Sequence, residues 1–174
     1  MIIKYRYIRI NSDGNKNKKH IAVKNVNKGL SEFYAKKILI KEGYVVWRPE
    51  YLNMDFKEHY PVVKNKYDKL FLLLEKHHSG KIEELKYLNH VHHGMPDFIV
   101  FKNNKFKFIE SKLENEQLSF KQKKCISKLL KMGFEVEVFR IISSNKRQKI
   151  IHEDLDTKKK IVKEKQTKLK NKYI

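Results

Sequence analysis

Two short runs of aromatic and β-branched residues, Phe98-Ile99-Val100-Phe101 and Phe106-Lys107-Phe108-Ile109, flank Asn103-Asn104, and this pattern predicts a tight β-hairpin. Asparagine tolerates the positive φ that a two-residue reversal demands. With Asn103 and Asn104 as the loop, opposed residues carry numbers that sum to 207, so Ile99 faces Phe108, Phe101 faces Phe106, and Asp97 faces Glu110. Side chains alternate between faces along a strand, which puts Lys112 on the face of Glu110, Phe108 and Phe106. That face reads apolar, apolar, acidic, with a lysine beyond. Two carboxylates opposed across a ladder repel unless a cation sits between them, and a hard divalent ion with oxygen ligands suits that place.

Charge narrows the partner. The chain of 174 residues carries 40 Lys and Arg against 20 Asp and Glu, a formal charge of +20. Such an excess seeks a polyanion, and nucleic acid is the default, although basic residues that only keep a surface solvated give the same count. A hydrophobic content of 40% is enough for one domain with a core. The single Cys125 excludes an internal disulfide and a cysteine-based zinc finger, which fits cytosol, nucleoid or a viral replication site. Apolar runs such as Phe71-Leu72-Leu73-Leu74 fall far short of a membrane span, so no membrane partner is expected. Met1-Ile2-Ile3-Lys4 leads into alternation rather than a signal-peptide core, so secretion is not expected either.

Alternation over Ile2–Ile10, a turn signal at Ser12-Asp13-Gly14 and a return over His20–Val26 predict a basic N-terminal β-hairpin within residues 1–28. It either rides on a phosphate backbone or serves as an edge ribbon whose lysines block aggregation. Ser31–Glu42 reads as a helix with Glu32, Ala35 and Leu39 on one stripe, and Tyr44–Arg48 as the first core strand. An acid at Glu32 also complements the helix dipole, a sufficient reason for it. Residues 51–93 read as an inserted αα-hairpin: Pro61 suits a first helical turn, Val62–Lys76 has helical spacing, Ser79-Gly80 stops it, and Ile82–Leu88 continues. Histidines 77, 78, 90, 92 and 93 invite a zinc site, but a phosphate contact or a solvated polar surface explains them without cysteines. Ser119–Met132 reads as the second core helix, with Ser119 and Gln122 forming a capping box and Gln122, Ile126 and Leu129 on one face. Gly133 ends that helix and Phe134–Ile142 is a strand. Residues 145–174 carry eleven Lys and Arg against four acids and read as a basic tail, either DNA-gripping or partly disordered; their isolated apolar residues permit an amphipathic helix.

These residues resemble the PD-(D/E)xK nuclease superfamily, and within it the VRR-NUC group and the archaeal Holliday junction resolvases, over Ser31–Ile142 with the insertion interrupting. Pro96-Asp97, within Gly94-Met95-Pro96-Asp97, is similar to the PD element and Glu110-Ser111-Lys112 to the ExK element. Gln117-Leu118-Ser119-Phe120-Lys121-Gln122 resembles the helix opening that follows, where a glutamine sits near the metals, and Glu32 the early glutamate that completes the site. The element order helix, strand, insertion, strand, strand, helix, strand is the αβββαβ core of that superfamily, so the expected fold is α/β and restriction-endonuclease-like, with a mixed sheet over residues 1–144.

The resemblance implies that Asp97, Glu110, the Ser111 carbonyl and Glu32 hold Mg²⁺ or Mn²⁺. In that reading Lys112 orients or deprotonates the water, or stabilises the transition state, and Gln122 positions water or phosphate. Arg48, His92, His93 and Lys121 are the nucleic-acid-contact candidates. The expected reaction is phosphodiester hydrolysis of DNA, by an endonuclease rather than an exonuclease, with branched DNA and a homodimer as options that resolvases suggest. Two rival classes stay open: an RNA-directed endonuclease with the same elements, and a nucleic-acid-binding protein whose carboxylates are structural.

Overall fold

The computed structural model describes residues 1–10, 29–54, 60–142, 149–156 and 160–164. Seven strands form one mixed sheet: β1 (Ile2–Arg9), β2 (Val45–Trp47), β3 (Phe98–Lys102), β4 (Lys105–Leu113), β5 (Glu135–Ile142), β6 (Lys149–Asp154) and β7 (Lys160–Glu164). Their order is β2-β3-β4-β5-β1-β6-β7, with β4-β5 and β5-β1 parallel and the other pairs antiparallel. Helices α1 (Leu30–Lys41), α2 (Pro61–His77), α3 (Ile82–Val91) and α4 (Phe120–Lys131) pack against it, and a short 3₁₀ turn, Pro49–Tyr51, follows β2. The expected αβββαβ order is therefore α1, β2, β3, β4, α4, β5. No helix among the described residues is long and apolar enough to cross a membrane.

The β3-β4 hairpin has the register that its turn requires. Asn103 and Asn104 sit at φ 51° and 59°, the left-handed values of a two-residue reversal whose twist matches the strands. Ile99 pairs with Phe108 and Phe101 with Phe106, as the sum of 207 demands. One face of the sheet packs Ile3, Ile99, Phe108, Val136 and Val138 against Cys125, Ile126 and Leu129 of α4 and Leu70, Leu74 and Leu85 of the insertion. The other face packs Phe98, Val100, Ile109, Phe139 and Ile141 against Ala35 and Leu39 of α1. Burying each such Leu, Ile or Phe stabilises the fold by about 1.5–3 kcal/mol, and the two-sided core makes β3, β4 and β5 a rigid base for what projects from their ends.

Tyr67 ties the insertion to this base. Its hydroxyl donates to the Arg48 carbonyl at 3.0 Å and accepts from the Arg48 amide at 3.1 Å, while Trp47 Nε1 donates to the Lys66 carbonyl at 2.8 Å. His77 stacks on Phe101, and His78 on Phe106 and Phe134, at the turn end of the hairpin. These two histidines are packing residues at the end opposite Asp97 and Glu110.

Two expectations are corrected. Residues 2–9 do not pair as a separate N-terminal hairpin: β1 lies inside the sheet, with β5 on one edge and β6 on the other over Lys4–Arg6. Ile3 and Tyr5 are buried on the α4 face and Ile8 on the α1 face, the two-sided burial of an interior strand. The proposed return, His20–Val26, lies outside the described residues. Residues 149–154 and 160–164, expected within a basic tail, form β6 and β7. The β-branched pairs Ile150-Ile151 and Ile161-Val162 favour strand over helix, and the register sets Ile151 opposite Val162 and Glu153 opposite Lys160.

Candidate active site

At the far end of β3 and β4, Asp97 and the Glu110-Ser111-Lys112 segment meet the first turn of α4. Asp97 Oδ2 accepts two hydrogen bonds from Ser111, from its amide at 2.7 Å and from its hydroxyl at 2.5 Å. These bonds fix the carboxylate one step beyond the last ladder pair, Phe98 with Ile109. Burial pushes the Asp97 carboxyl above the ordinary aspartate range, although the two Ser111 bonds oppose the shift.

Glu110 is 1% exposed. Its Oε1 accepts from Gln122 Nε2 at 2.5 Å and from Lys112 Nζ at 2.9 Å, and its Oε2 is buried without a hydrogen-bond partner among the described residues. Burial first, and the neighbouring Asp97 charge second, push the Glu110 carboxyl up to about 7, against the pull of Lys112. A buried carboxylate with an unsatisfied oxygen is costly in an isolated protein. The arrangement is strained electrostatically, and a cation beside it would relieve the strain.

Gln122 does two jobs with one amide. Its Oε1 accepts from the Ser119 amide at 2.9 Å while the Ser119 hydroxyl accepts from the Gln122 amide at 3.2 Å, so the expected capping box is complete. The cap uses the oxygen and leaves the NH₂ group for Glu110, which settles the amide orientation from both sides. One amide thus serves both the helix cap and the contact with Glu110.

Glu32, in the first turn of α1, lies close enough for its charge to raise both the Asp97 and Glu110 carboxyls. Arg48 holds it with an ion pair of 3.0 Å and reaches Glu50 at 3.6 Å, its guanidinium lying 5.7 Å from the Phe98 ring centroid. Lys121 is exposed on α4 and His93 on the loop before Asp97. His92 Nε2 lies 2.6 Å from Lys128 Nζ, and partial desolvation together with the Lys128 and Lys124 charges lowers its pKa. No three His, Cys, Asp or Glu side chains among the described residues form a metal cluster. Cys125 is inert packing, its thiol pushed up by burial, with Sγ 3.4 Å from Met95 Sδ.

Two residues that shape the site are not apparent from motif spacing. Gly94 approaches α4 so closely that a Cβ there would lie 2.6 Å from the Lys121 carbonyl carbon, 2.7 Å from its oxygen and 2.9 Å from the Gln122 nitrogen. The glycine thereby docks the Gly94–Asp97 loop on the turn that carries Gln122. Gly94→Ala is expected to cost about 1–3 kcal/mol through overpacking, and to slow catalysis at temperatures where the variant is still folded, because Gln122 moves off Glu110. Thermal melts paired with cleavage rates check this; a variant with wild-type melting and wild-type rate shows that the loop has room. Arg140, buried on β5 at the register position of Lys112, donates to the carbonyls of Leu113, Glu114 and Glu116 and so holds the connection from β4 to α4. A charged residue inside Val136–Ile142, otherwise apolar but for Glu137, is the sequence signal for it.

The two acidic side chains, the orphaned Glu110 Oε2 and the main-chain carbonyl at Ser111 are all oxygen donors. That set suits a hard cation that keeps part of its water shell, the habit of Mg²⁺, and suits zinc poorly. Compared with known families, residues 45–141 match the VRR-NUC domain, from the first residue of β2 to the penultimate residue of β5. No curated protein matches the chain.

Proposed function

The chain belongs to the VRR-NUC family, a family of PD-(D/E)xK nuclease-superfamily domains, and from that premise we propose that it is a divalent-metal-dependent endonuclease that hydrolyses phosphodiester bonds in DNA, with branched or otherwise structured DNA as its preferred substrate. The observation that carries this reading is Glu110: buried, raised to about 7 beside Asp97, and left with one unpartnered oxygen at the mouth of the hairpin.

Asp97, Glu110 and the Ser111 carbonyl would hold Mg²⁺ or Mn²⁺, and Glu32, ion-paired with Arg48 at 3.0 Å, would join them only by leaving that pair. The bound ion supplies Lewis acidity, activating water and neutralising charge on the scissile phosphate. Ser111 keeps Asp97 oriented, Gln122 keeps Glu110 oriented, and Gly94 and Arg140 keep the two elements in register. Lys112, 15% exposed and 2.9 Å from Glu110, brings a positive charge to the place where the phosphate gains negative charge. The formal charge of +20 supplies nonspecific attraction to the DNA backbone, and His93 and Lys121 stand exposed beside the site to take part in it.

Digestion of labelled duplex, flap and four-way-junction DNA and single-stranded RNA, with Mg²⁺, Mn²⁺ or chelator, tests the proposal; cleavage that persists in chelator, or that is confined to RNA, removes it. Lys112→Ala separates chemistry from binding. Turnover should fall by about 10²-fold or more, while DNA affinity, set by the whole basic surface, changes little. Equal loss of both marks Lys112 as a phosphate-positioning residue only.

A further inference from the structure

The sheet carries a second buried carboxylate with an unsatisfied oxygen, away from the site at Asp97. Glu137 of β5 is 5% exposed, and its Oε1 is buried with no hydrogen-bond partner among the described residues. The cations around it are engaged elsewhere or stand too far off. Lys107 is paired with Glu135 at 3.0 Å, and Arg6 Nη1 donates to Glu42 Oε2 at 2.9 Å. Lys4 Nζ lies 3.8 Å from Glu137 Oε1, beyond hydrogen-bond distance. Burial pushes the Glu137 carboxyl above the ordinary glutamate range, while Lys4, Lys107 and Arg6 pull it back. An apolar residue would serve a buried strand position at lower cost. A cavity of about 210 Å³ gives the acid a purpose: Glu137 lines it, together with Ile2 and Lys4 of β1, Lys107 of β4, Leu130 and Phe134. It sits where the parallel strands β4, β5 and β1 begin. Lys107 precedes Lys112 by five residues on β4, so the cavity is about 16 Å from the Lys112 end of that strand.

The charges around the cavity select its ligand. Lys4, Lys107 and Arg6 would repel a metal ion, an ammonium or a guanidinium group, and Glu135 and Glu137 would repel an anion. What remains is a neutral group that donates N–H to a carboxylate and has an apolar body for Ile2, Leu130 and Phe134 to cover. Nucleobases have that character, and they are told apart by their pairing edges. Cytosine and adenine set a ring acceptor beside the amino donor, and thymine and uracil set one N–H between two carbonyls, so an acceptor would face the carboxylate. Guanine offers two adjacent donors, N1–H and the exocyclic amino group. The cavity is smaller than the roughly 300–1,000 Å³ pockets that take drug-sized ligands, so a base enters while its sugar and phosphate stay at the mouth. Lys4 and Lys107 line the same cavity and offer that phosphate positive charge. We propose that this pocket binds the guanine base of a nucleotide, with Glu137 accepting from N1–H and the exocyclic amino group. The guanine comes from a free nucleotide or from a single-stranded DNA segment, and the site stands whether or not the chain is a nuclease.

Calorimetric titration of the full chain in chelator with the monophosphates of guanosine, inosine, adenosine and cytidine tests this, since all four carry the same phosphate and differ in the edge offered to Glu137. The guanosine nucleotide should bind at least about tenfold more tightly than those of adenosine or cytidine, and the inosine nucleotide, which lacks the exocyclic amino donor, should fall between. Glu137→Gln, close in size and free of the buried charge, should keep the wild-type melting temperature and bring the guanosine nucleotide down to the level of the adenosine one. If that variant melts early, the wild-type series over four nucleotides still decides. Oligothymidine with one central guanine, compared with oligothymidine alone, separates the two sources. A guanine preference within the strand assigns the pocket to DNA, and one confined to the monophosphates assigns it to a free nucleotide. Equal binding of all four monophosphates would overturn the proposal, because the lysines alone would then account for it. An unchanged guanine preference in a folded Glu137→Gln would overturn it too, and so would displacement of the guanosine nucleotide by methylguanidinium, which would show a carboxylate open to cations.

Discussion

Asp97→Asn should reduce metal-dependent cleavage by about a hundredfold or more, and should make the metal-free protein more stable above pH 5. The activity follows from losing one of two carboxylates at the site while keeping its shape, since an asparagine oxygen can still accept from the Ser111 amide and hydroxyl that now hold Asp97 Oδ2. The stability follows from linkage. Both carboxyls are raised in the folded state, so the native protein binds more protons than the unfolded chain between the two sets of values, and metal-free stability must fall as pH rises. For Glu110 the window runs from 4.5 to about 7, a loss of up to about 3 kcal/mol by neutral pH. Removing the Asp97 charge removes that residue's own contribution and lowers the Glu110 carboxyl, so the variant should show a flatter dependence of melting temperature on pH in chelator. Added Mg²⁺ should raise the wild-type melting temperature and leave the variant nearly unmoved. Wild-type cleavage by Asp97→Asn in Mg²⁺ would place the metal elsewhere.

The parts of this site that can be read from sequence are those fixed by local rules. A two-residue Asn-Asn turn admits one register, so Phe106, Phe108, Glu110 and Lys112 fall on a common face by counting, and Asp97 falls beside Glu110. The capping box likewise places Gln122 at a helix start that has to be near the sheet end. What could not be read depends on contacts distant in sequence. Pairing of β1 with β5 joins residues more than 130 apart, and nothing in Ile2–Arg9 says whether its alternation belongs to a ribbon or to an interior strand, except that apolar residues occur on both sides. Gly94 looks like a loop glycine until the α4 backbone is seen against it. The histidines looked like one group because they are near in sequence, yet His78 packs on Phe134 at the turn end while His92 lies by Lys128. In the C-terminal region the lysine count masked β-branched pairs that composition averages away.

Those β-branched pairs change what removal of residues 145–174 should do. The deletion takes away eleven basic and four acidic residues, and a tail that only grips DNA would be removed with little effect on folding. In the structure the deletion also removes β6, which pairs with Ile2–Arg6, and uncovers the edge of β1 next to buried Ile3 and Tyr5. Ile151 and Leu155 leave the core face they pack against, and Tyr5 is separated from Glu153. A destabilisation on the order of 3 kcal/mol or more is expected, roughly 10 °C in melting temperature, together with aggregation through the exposed strand edge. A milder truncation after Asp156 removes the edge strand β7 with eight lysines and Glu164 but keeps β6 and Leu155, so β1 stays covered and its fold should survive. Comparing the two separates architecture from electrostatics. If the lysines touch DNA, the milder truncation should bind less tightly at low salt and show a slope of log affinity against log salt shallower by about 0.9 for each phosphate it no longer neutralises. If truncation after Ser144 leaves melting temperature and solubility unchanged, β6 contributes nothing to the fold, and the strand pairing that closes this side of the sheet is wrong.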